Sequence, residues 1–355
     1  MKNNYVIIMA GGIGSRFWPM STSEFPKQFH DVLGTGRTLI QQTADRFKNI
    51  CNPENLFVVT NADYAKLVKE QLPEIPEDNI LLEPVMRNTA PCIAYATYKI
   101  GKKNPNANMI VSPADHLVQD VPEFEKDIRI ALERTASTNN LITLGIKPHR
   151  PDTGYGYINF DSKNQVNTNE KVKNVIAFTE KPPLEKAKEF VESGNYFWNS
   201  GIFIWSHKNI HNALSTYLPE LSKIFENGNE HYNTNSEQDF INENFQKCEN
   251  ISIDYGIMES SDNVEMVMTD FGWSDLGTWG SLYEHVESDN NQNAIVGNSV
   301  YVFDSEKNMI RNSSKKTMLI RGLKDFIVVQ TNKATLICPK KDEQEIKKML
   351  LEINK

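Results

Sequence analysis

A chain of 355 residues is long enough for one large domain, or for a large one with a smaller one attached. Its 46 acidic against 38 basic side chains give a formal charge of −8, which argues against a nucleic-acid-binding face but not against a single nucleotide, which needs only a few local cations. No apolar run approaches the length of a membrane span, and Lys2-Asn3-Asn4 leads into the chain without a signal-peptide core, so no membrane partner and a cytoplasmic location are expected.

The first element is the apolar, β-branched run Tyr5–Met9, read as a buried strand. Gly11, Gly12 and Gly14 follow at once, where missing side chains let another molecule approach the backbone N–H groups. Arg16 and Lys27 add two cations. Strand, glycine turn and cations together make an anion site, and a polyphosphate is its natural occupant. Nothing completes a Walker A loop, and Phe17 stands where the third glycine of a dinucleotide fingerprint belongs.

Residues 37–50 place Leu39, Ile40, Thr43 and Phe47 on one helical face. A strand at 55–60, a helix at 62–71, a strand at 79–83, a helix at 89–102 and a strand at 107–112 follow. Repeated units of this kind predict an α/β fold: a Rossmann-like, mainly parallel (mixed) sheet with helices on both faces. Ligands bind such sheets beyond the carboxyl ends of the strands, where GGIGSR, EPVMRNT and SPADH all fall. Residues 148–181 form a glycine- and strand-rich insert, and the polar segment 226–246 is expected as surface loop and exposed helix. Cys51, Cys92, Cys248 and Cys338 show no CxxC spacing and read as reduced thiols, Cys92 in a helix and Cys338 in a strand. The polar turn 289–293 divides the chain into residues 1–288 and a small β-rich domain, 289–355, that ends in a helix at 342–352. Without a hexapeptide repeat in that tail, a regular β-helix is not expected.

GGIGSRFWPMSTSEFPKQF resembles the signature of the sugar-1-phosphate nucleotidylyltransferases, GGxGxRLxPxTxxxPKxx, and Trp18 with the PKQF ending resembles the mannose-1-phosphate guanylyltransferase branch. Phe17 stands where leucine is commoner, an apolar-for-apolar change. The resemblance implies the nucleotidyltransferase fold with an appended β-domain. It also implies in-line attack of mannose 1-phosphate on the α-phosphorus of GTP, giving GDP-mannose and pyrophosphate with Mg²⁺. Such a site must align two anions and neutralise the charge between them. Asp115 and Asp275 are the implied metal ligands, in keeping with the one or two carboxylates Mg²⁺ takes. Arg16 can fork two phosphate oxygens, Lys27 acts as a point charge, and Lys181 is implied on the sugar phosphate.

By resemblance the nucleotide is held by Ala10, Gly11, Gly12, Gly14, Ser15, Arg16, Arg87, Asn88, Thr89, Pro113, Ala114 and Asp115. The sugar phosphate is held by Gly154, Tyr155, Gly156, Glu180, Lys181, Asn199, Ser200, Gly201 and Asp254. Structural alternatives stand beside these roles. Asp115 and Asp275 suit helix caps or turns, Thr89 suits the cap of a helix starting at Ala90, and Lys181 suits a solvated loop end. Trp198 and Tyr255 suit the core, and His116 reads as positional. Rival functions are a nucleotidylyltransferase for another sugar 1-phosphate, glucose or heptose, and a non-catalytic sugar-nucleotide-binding subunit. The second rival is disfavoured because Asp115, Asp275, Arg16 and Lys27 are all present. The apolar strands of the tail suggest a homodimer, and truncation near Asn291 is expected to affect assembly or stability more than chemistry.

Overall fold

Val6, Ile7 and Ile8 are wholly buried, so the first strand faces core on both sides, as its unbroken apolar run requires. Each such side chain contributes about 1.5–3 kcal/mol on burial. In the computed structural model, which describes residues 2–162 and 169–353, that strand lies within a nine-stranded sheet. Its strands are β1 (Asn4–Met9), β2 (Leu56–Asn61), β3 (Ile80–Glu83), β4 (Asn108–Pro113), β5 (Leu141–Ile146), β6 (Gly156–Phe160), β7 (Val172–Glu180), β8 (Tyr196–Ser206) and β9 (Val264–Thr269). They are ordered β3-β2-β1-β4-β8-β5-β9-β7-β6.

The chain divides into two units. The first holds Met1–Gly11, Thr43–Ala114 and Val118–Trp273; the second holds Gly12–Gln42, Asp115–Leu117 and Ser274–Lys355.

In the first unit β3, β2, β1 and β4 are parallel, with Val6 opposite Leu56 on one side and Ile110 on the other. β8 then runs antiparallel between β4 and β5, β5 pairs in parallel with β9, and β6 and β7 form an antiparallel pair. The sheet is therefore mixed, as expected. The order 3-2-1-4 puts a topological switch between β1 and β4, the place beyond whose carboxyl ends such sheets bind ligands.

The helix Thr89–Lys103 covers one face. Asn88 caps it by accepting the Thr89 N–H, Pro91 sits in the first turn where no N–H is needed, and Lys102 and Lys103 face the negative end of its dipole. The cap is thus Asn88, one residue before the expected Thr89. Segment 226–246 also departs from expectation. Tyr232, Phe240, Ile241 and Phe245 are core residues, and buried Glu237 receives Lys99 Nζ at 2.7 Å and the Tyr95 hydroxyl at 2.7 Å. Its polarity concealed one apolar stripe and a buried ion pair.

In the second unit, β10 (Ala294–Gly297), β11 (Val300–Phe303), β12 (Met309–Asn312), β13 (Met318–Arg321), β14 (Phe326–Gln330) and β15 (Thr335–Pro339) follow one another. β10, β12 and β14 stack in parallel, β11 pairs in parallel with β13, and β15 closes the stack antiparallel to β14. Parallel stacking of successive strands is a short β-helical coil, contrary to the expectation from sequence. The register steps from Ala294 to Met309 to Ile327, unequal intervals of 15 and 18 residues, so no fixed repeat exists to be seen. A buried corner ladder binds the coils: Asn293 Nδ2 donates to Ser305 O at 3.0 Å, and Asn308 Nδ2 donates to Asn293 Oδ1 at 2.9 Å and to Leu323 O at 3.0 Å. The core of this unit joins Phe17, Met20, Val32 and Leu39 of the glycine-loop segment to Leu276, Trp279, Met309, Ile327 and Val329. Among the described residues no helix is long and apolar enough to cross a membrane.

Candidate active site

The glycine loop leaves β1 in the first unit and continues into the second. Ala10 is buried, its N–H bonded to Val59 O at 2.8 Å and its carbonyl to Thr60 Oγ1 at 2.9 Å. Gly14 has φ +69°, and a Cβ there would stand 2.6 Å from Lys27 Cβ. Only glycine meets both conditions without strain. A short 3₁₀ turn, Ser15–Phe17, then buries Phe17 and leaves Arg16 exposed.

Within the second unit Gly14, Ser15, Arg16, Lys27, Asp115, His116, Asp275, Gly277 and Lys347 line a single cleft of about 310 Å³. Lys27 is almost fully buried, and its Nζ donates to Asp115 Oδ2 at 2.9 Å and to Asp275 O at 2.7 Å. One ammonium thereby joins three segments far apart in sequence. Burial works against the Asp115 charge, but Lys27 and then His116 outweigh it and hold the carboxyl below its ordinary range. His116 Nε2 lies 3.9 Å from Asp115 Oδ1, beside the cleft. Asp275 Oδ1 accepts the Gly277 N–H at 2.8 Å, an Asx turn. Between them Leu276 is wholly buried at φ +44°. A leucine held left-handed costs about 1–2 kcal/mol, and its burial among Phe17 and Trp279 holds it there. Among the described residues no three or more His, Cys, Asp or Glu side chains gather in a metal-binding group. Two carboxylates on one open cleft fit a hard cation that keeps water and phosphate oxygens in its shell.

The remaining candidates lie in the first unit. Pro113 ends β4, and buried Ala114 bonds Met9 O through its N–H at 3.0 Å and Thr43 Oγ1 through its carbonyl at 3.1 Å. Asn88 has φ +66°; Arg87 Nη2 donates to Gln246 O at 2.9 Å; Thr89 Oγ1 accepts the Ile253 N–H at 2.9 Å. Thr89 therefore ties two loops together. Beside this segment lies a group that the sequence motifs do not include. Glu83, at the end of β3, is 5% exposed, its Oε1 has no hydrogen-bond partner, and its Oε2 lies 3.2 Å from where a Gly11 Cβ would stand. Burial raises its carboxyl to about 8, against a smaller lowering by Cys92. The signal was present: a glutamate ending an otherwise apolar strand, ILLE.

The second cluster forms around β6, β7 and β8. Asn199 Nδ2 donates to Asp254 Oδ1 at 2.6 Å, and Asn199 Oδ1 accepts the Gly201 N–H at 3.1 Å. Glu180 pairs with Lys181, which has φ +46° and an N–H bonded to Tyr155 O at 3.2 Å. Burial, and next the charge of Glu180, raise Asp254 to about 6. Gly156 is in register with Glu180, and Gly154 donates to Asp152 Oδ1 at 2.8 Å. Ser200 is wholly buried with its hydroxyl on Leu144 O, so it shapes the strand from inside. Trp198 is core, stacked edge-on against Tyr155, whereas Tyr255 is 54% exposed, contrary to the core alternative. Asn88, Lys181 and Leu276, one in each of three motif segments, share the left-handed backbone that functional loops often retain.

Residues 5–292 match the family described as Nucleotidyl transferase, and residues 297–353 match one described as MannoseP isomerase/GMP-like beta-helix domain. The chain is 35% identical over 353 residues to a mannose-1-phosphate guanylyltransferase of Escherichia coli, covering 97% of this chain and 74% of that one. It is 36% identical over 351 residues to the mannose-1-phosphate guanylyltransferase RfbM of Salmonella typhimurium, with 97% and 71% covered. It is 37% identical over 359 residues to the alginate biosynthesis protein AlgA of Pseudomonas putida, with 97% and 70% covered. A crystal structure described as a mannose-1-phosphate geranyltransferase from Thermus thermophilus superposes with a TM-score of 0.88 at 26% identity, covering 99% of this chain and 100% of that one.

Proposed function

Because the chain belongs to the nucleotidyl transferase family, we propose that it transfers the guanylyl group of GTP to α-D-mannose 1-phosphate, giving GDP-mannose and pyrophosphate. The observation that carries the reading is the cleft in which Lys27 joins Asp115 to the Asp275 backbone, with Arg16 beside them. Relatives carrying the guanylyltransferase name at 35–36% identity over nearly the whole chain support the choice of substrates.

In the reaction a phosphate oxygen of the sugar forms a bond to the α-phosphorus as the bond to the β-phosphate bridging oxygen breaks, and pyrophosphate leaves with the electron pair. Arg16 and Lys27 hold and neutralise the triphosphate, and the N–H groups of Gly11, Gly12, Gly14 and Ser15 approach it where side chains are small. Lys181, Glu180, Asn199 and Asp254 take the sugar phosphate, the lysine on the phosphate and the others on hydroxyls. The family generally uses a divalent metal; we assign Mg²⁺, with Asp115 and Asp275 as its protein ligands. When bound it supplies charge neutralisation and alignment of phosphate oxygens.

Guanine presents two adjacent donors, its ring N–H and its amino group, and the carboxyl of Glu83 beside Gly11, whose Oε1 has no partner, suits them when ionised. Adenine would oppose an acceptor to the same oxygens. Asn88 supplies a donor and an acceptor nearby in sequence.

Residues 1–288 are proposed as the catalytic segment and 289–355 as the β-rich one, in a cytoplasmic homodimer. Four free, buried cysteines suit a reducing compartment. Tyr301, Phe303 and Leu319, each more than half exposed on the β11–β13 pair, support the dimer, and a monomer by light scattering at micromolar concentration would remove it.

The test is pyrophosphate release from GTP, ATP, UTP and dTTP, each with mannose 1-phosphate and glucose 1-phosphate, with and without Mg²⁺. Release confined to GTP with mannose 1-phosphate and dependent on metal is the expected result. Release with another pair would reassign the substrates. Silence in every mixture would leave a binding subunit.

A further inference from the structure

The expected phosphate cations all come from the first 30 residues or from the Lys181 loop, yet the cleft wall includes a residue of the last helix. Lys347 lies in the helix Ile346–Ile353 and lines the cleft with Arg16, Lys27, Asp115 and Asp275. Its position is fixed from both sides. Ile346 is 1% exposed in the cluster that contains Phe17 and Trp279, and Leu350 packs against the same cluster. Just before the helix, Glu343 Oε2 accepts the Gly280 N–H at 2.7 Å, and Lys340 Nζ lies 3.8 Å above the Tyr283 ring. Lys347 also borders an apolar groove formed by Ile13, Trp18, Leu350 and Leu351, so the residue stands between an apolar surface suited to a lysine stem and a polar cleft suited to its ammonium.

The charges around the cleft are unevenly committed. Lys27 is already paired with Asp115. Arg16 and Lys347 have no ion pair or side-chain hydrogen bond with any described residue. Two cations without partners, held on one wall by a packed core, lack any structural duty and face the place where an anion of high charge would sit.

We propose that Lys347 is a third phosphate-binding cation, which contacts the polyphosphate of the nucleotide together with Arg16 and makes the C-terminal helix part of the substrate site. The inference rests on reading this cleft as the triphosphate site.

The test uses the full chain with Lys347→Met, which keeps an apolar stem and removes the charge. Inorganic tripolyphosphate is titrated calorimetrically, and steady-state pyrophosphate release is measured with the wild-type substrate pair. Lys347→Met is expected to weaken tripolyphosphate binding and raise the KM for the nucleotide roughly five- to tenfold, with the KM for the sugar phosphate within twofold. Lys347→Arg should restore most of both. Lys348→Met, at a neighbour paired with Glu345, should change neither. Tripolyphosphate affinity and nucleotide KM within twofold of wild type, in a Lys347→Met protein of unchanged Tm, would overturn the proposal. So would a wild-type chain that binds no tripolyphosphate. If the substrates prove to be another pair, the titration still decides, because neither base nor sugar enters it.

Discussion

Asp275 offers the clearest separation of chemistry from folding. Its Oδ1 receives the Gly277 N–H, a bond that an asparagine oxygen can also accept, so Asp275→Asn keeps the turn and loses the charge. Turnover should fall at least ~100-fold at saturating Mg²⁺ while Tm stays within about two degrees; undiminished turnover would take Asp275 out of the site. Asp254 ties the cluster around Asn199 to pH. Its carboxyl is raised from 3.8 to about 6 in the folded chain, so the folded state binds the proton more tightly than the unfolded one. Stability therefore falls as pH rises from about 4 to about 6, and the charged form carries the full penalty above that. Asp254→Asn, which keeps an acceptor for Asn199, should raise Tm by a few degrees at pH 8 and not at pH 4. Equal shifts at both pH values would show that the charge is not the cause. At this scale most of the cleft's lining was legible in the signature motifs, which hold Gly14, Ser15, Arg16, Lys27, Asp115 and Asp275, because a cation or carboxylate among glycines and aromatics has few structural uses. Glu83 and Lys347 escaped notice for opposite reasons. One is hidden in a strand by its neighbours, and the other looks like any lysine on the polar side of an amphipathic helix.

Among the elements, the parallel strands were legible because each is a buried apolar run followed by a helical period, and the loops at their carboxyl ends fell where the switch between β1 and β4 requires. The coils of the tail were legible as strands but not as a coil. Their spacing of 15 and then 18 residues leaves no period, and the corner asparagines read as an ordinary polar turn. Those asparagines can be tested. Asn308 is wholly buried, donates to Leu323 O and Asn293 Oδ1, and accepts the Phe326 N–H at 2.8 Å. Asn308→Leu leaves the Phe326 N–H without an acceptor and takes one of two donors from Leu323 O, which keeps the Glu306 N–H, and from Asn293 Oδ1, which keeps the Asn308 N–H, and should cost about 1–3 kcal/mol. A chemical-denaturation midpoint unchanged from wild type would mean that water or a shifted neighbour satisfies them.

For the whole molecule, the packing of the tail bears on what truncation would do. Truncation near Asn291 is expected from sequence to affect assembly or stability more than chemistry, yet Phe17 and Met20 of the glycine-loop segment share their core with Met309, Ile327 and Val329, and Arg311 donates to the carbonyls of Asp31 and Val32 at 2.7 Å. A chain ending at Asn291 should lose pyrophosphate release and become protease-sensitive within residues 12–42. A truncated chain with kcat within twofold of the full one would refute this. The same interleaving bears on how the protein is made. The polypeptide passes between its two units at residues 11–12, 42–43, 114–115, 117–118 and 273–274. Translation at about 5–20 residues per second delivers the tail some tens of seconds after Phe17, Met20, Val32 and Leu39 have left the ribosome. Until then those side chains lack the strands they pack against, so the glycine loop is among the first segments synthesised and among the last to acquire its shape. A nascent chain arrested before residue 274 should accordingly be a client for chaperones that cover exposed apolar sequence, with its N-terminal segment as the part they hold.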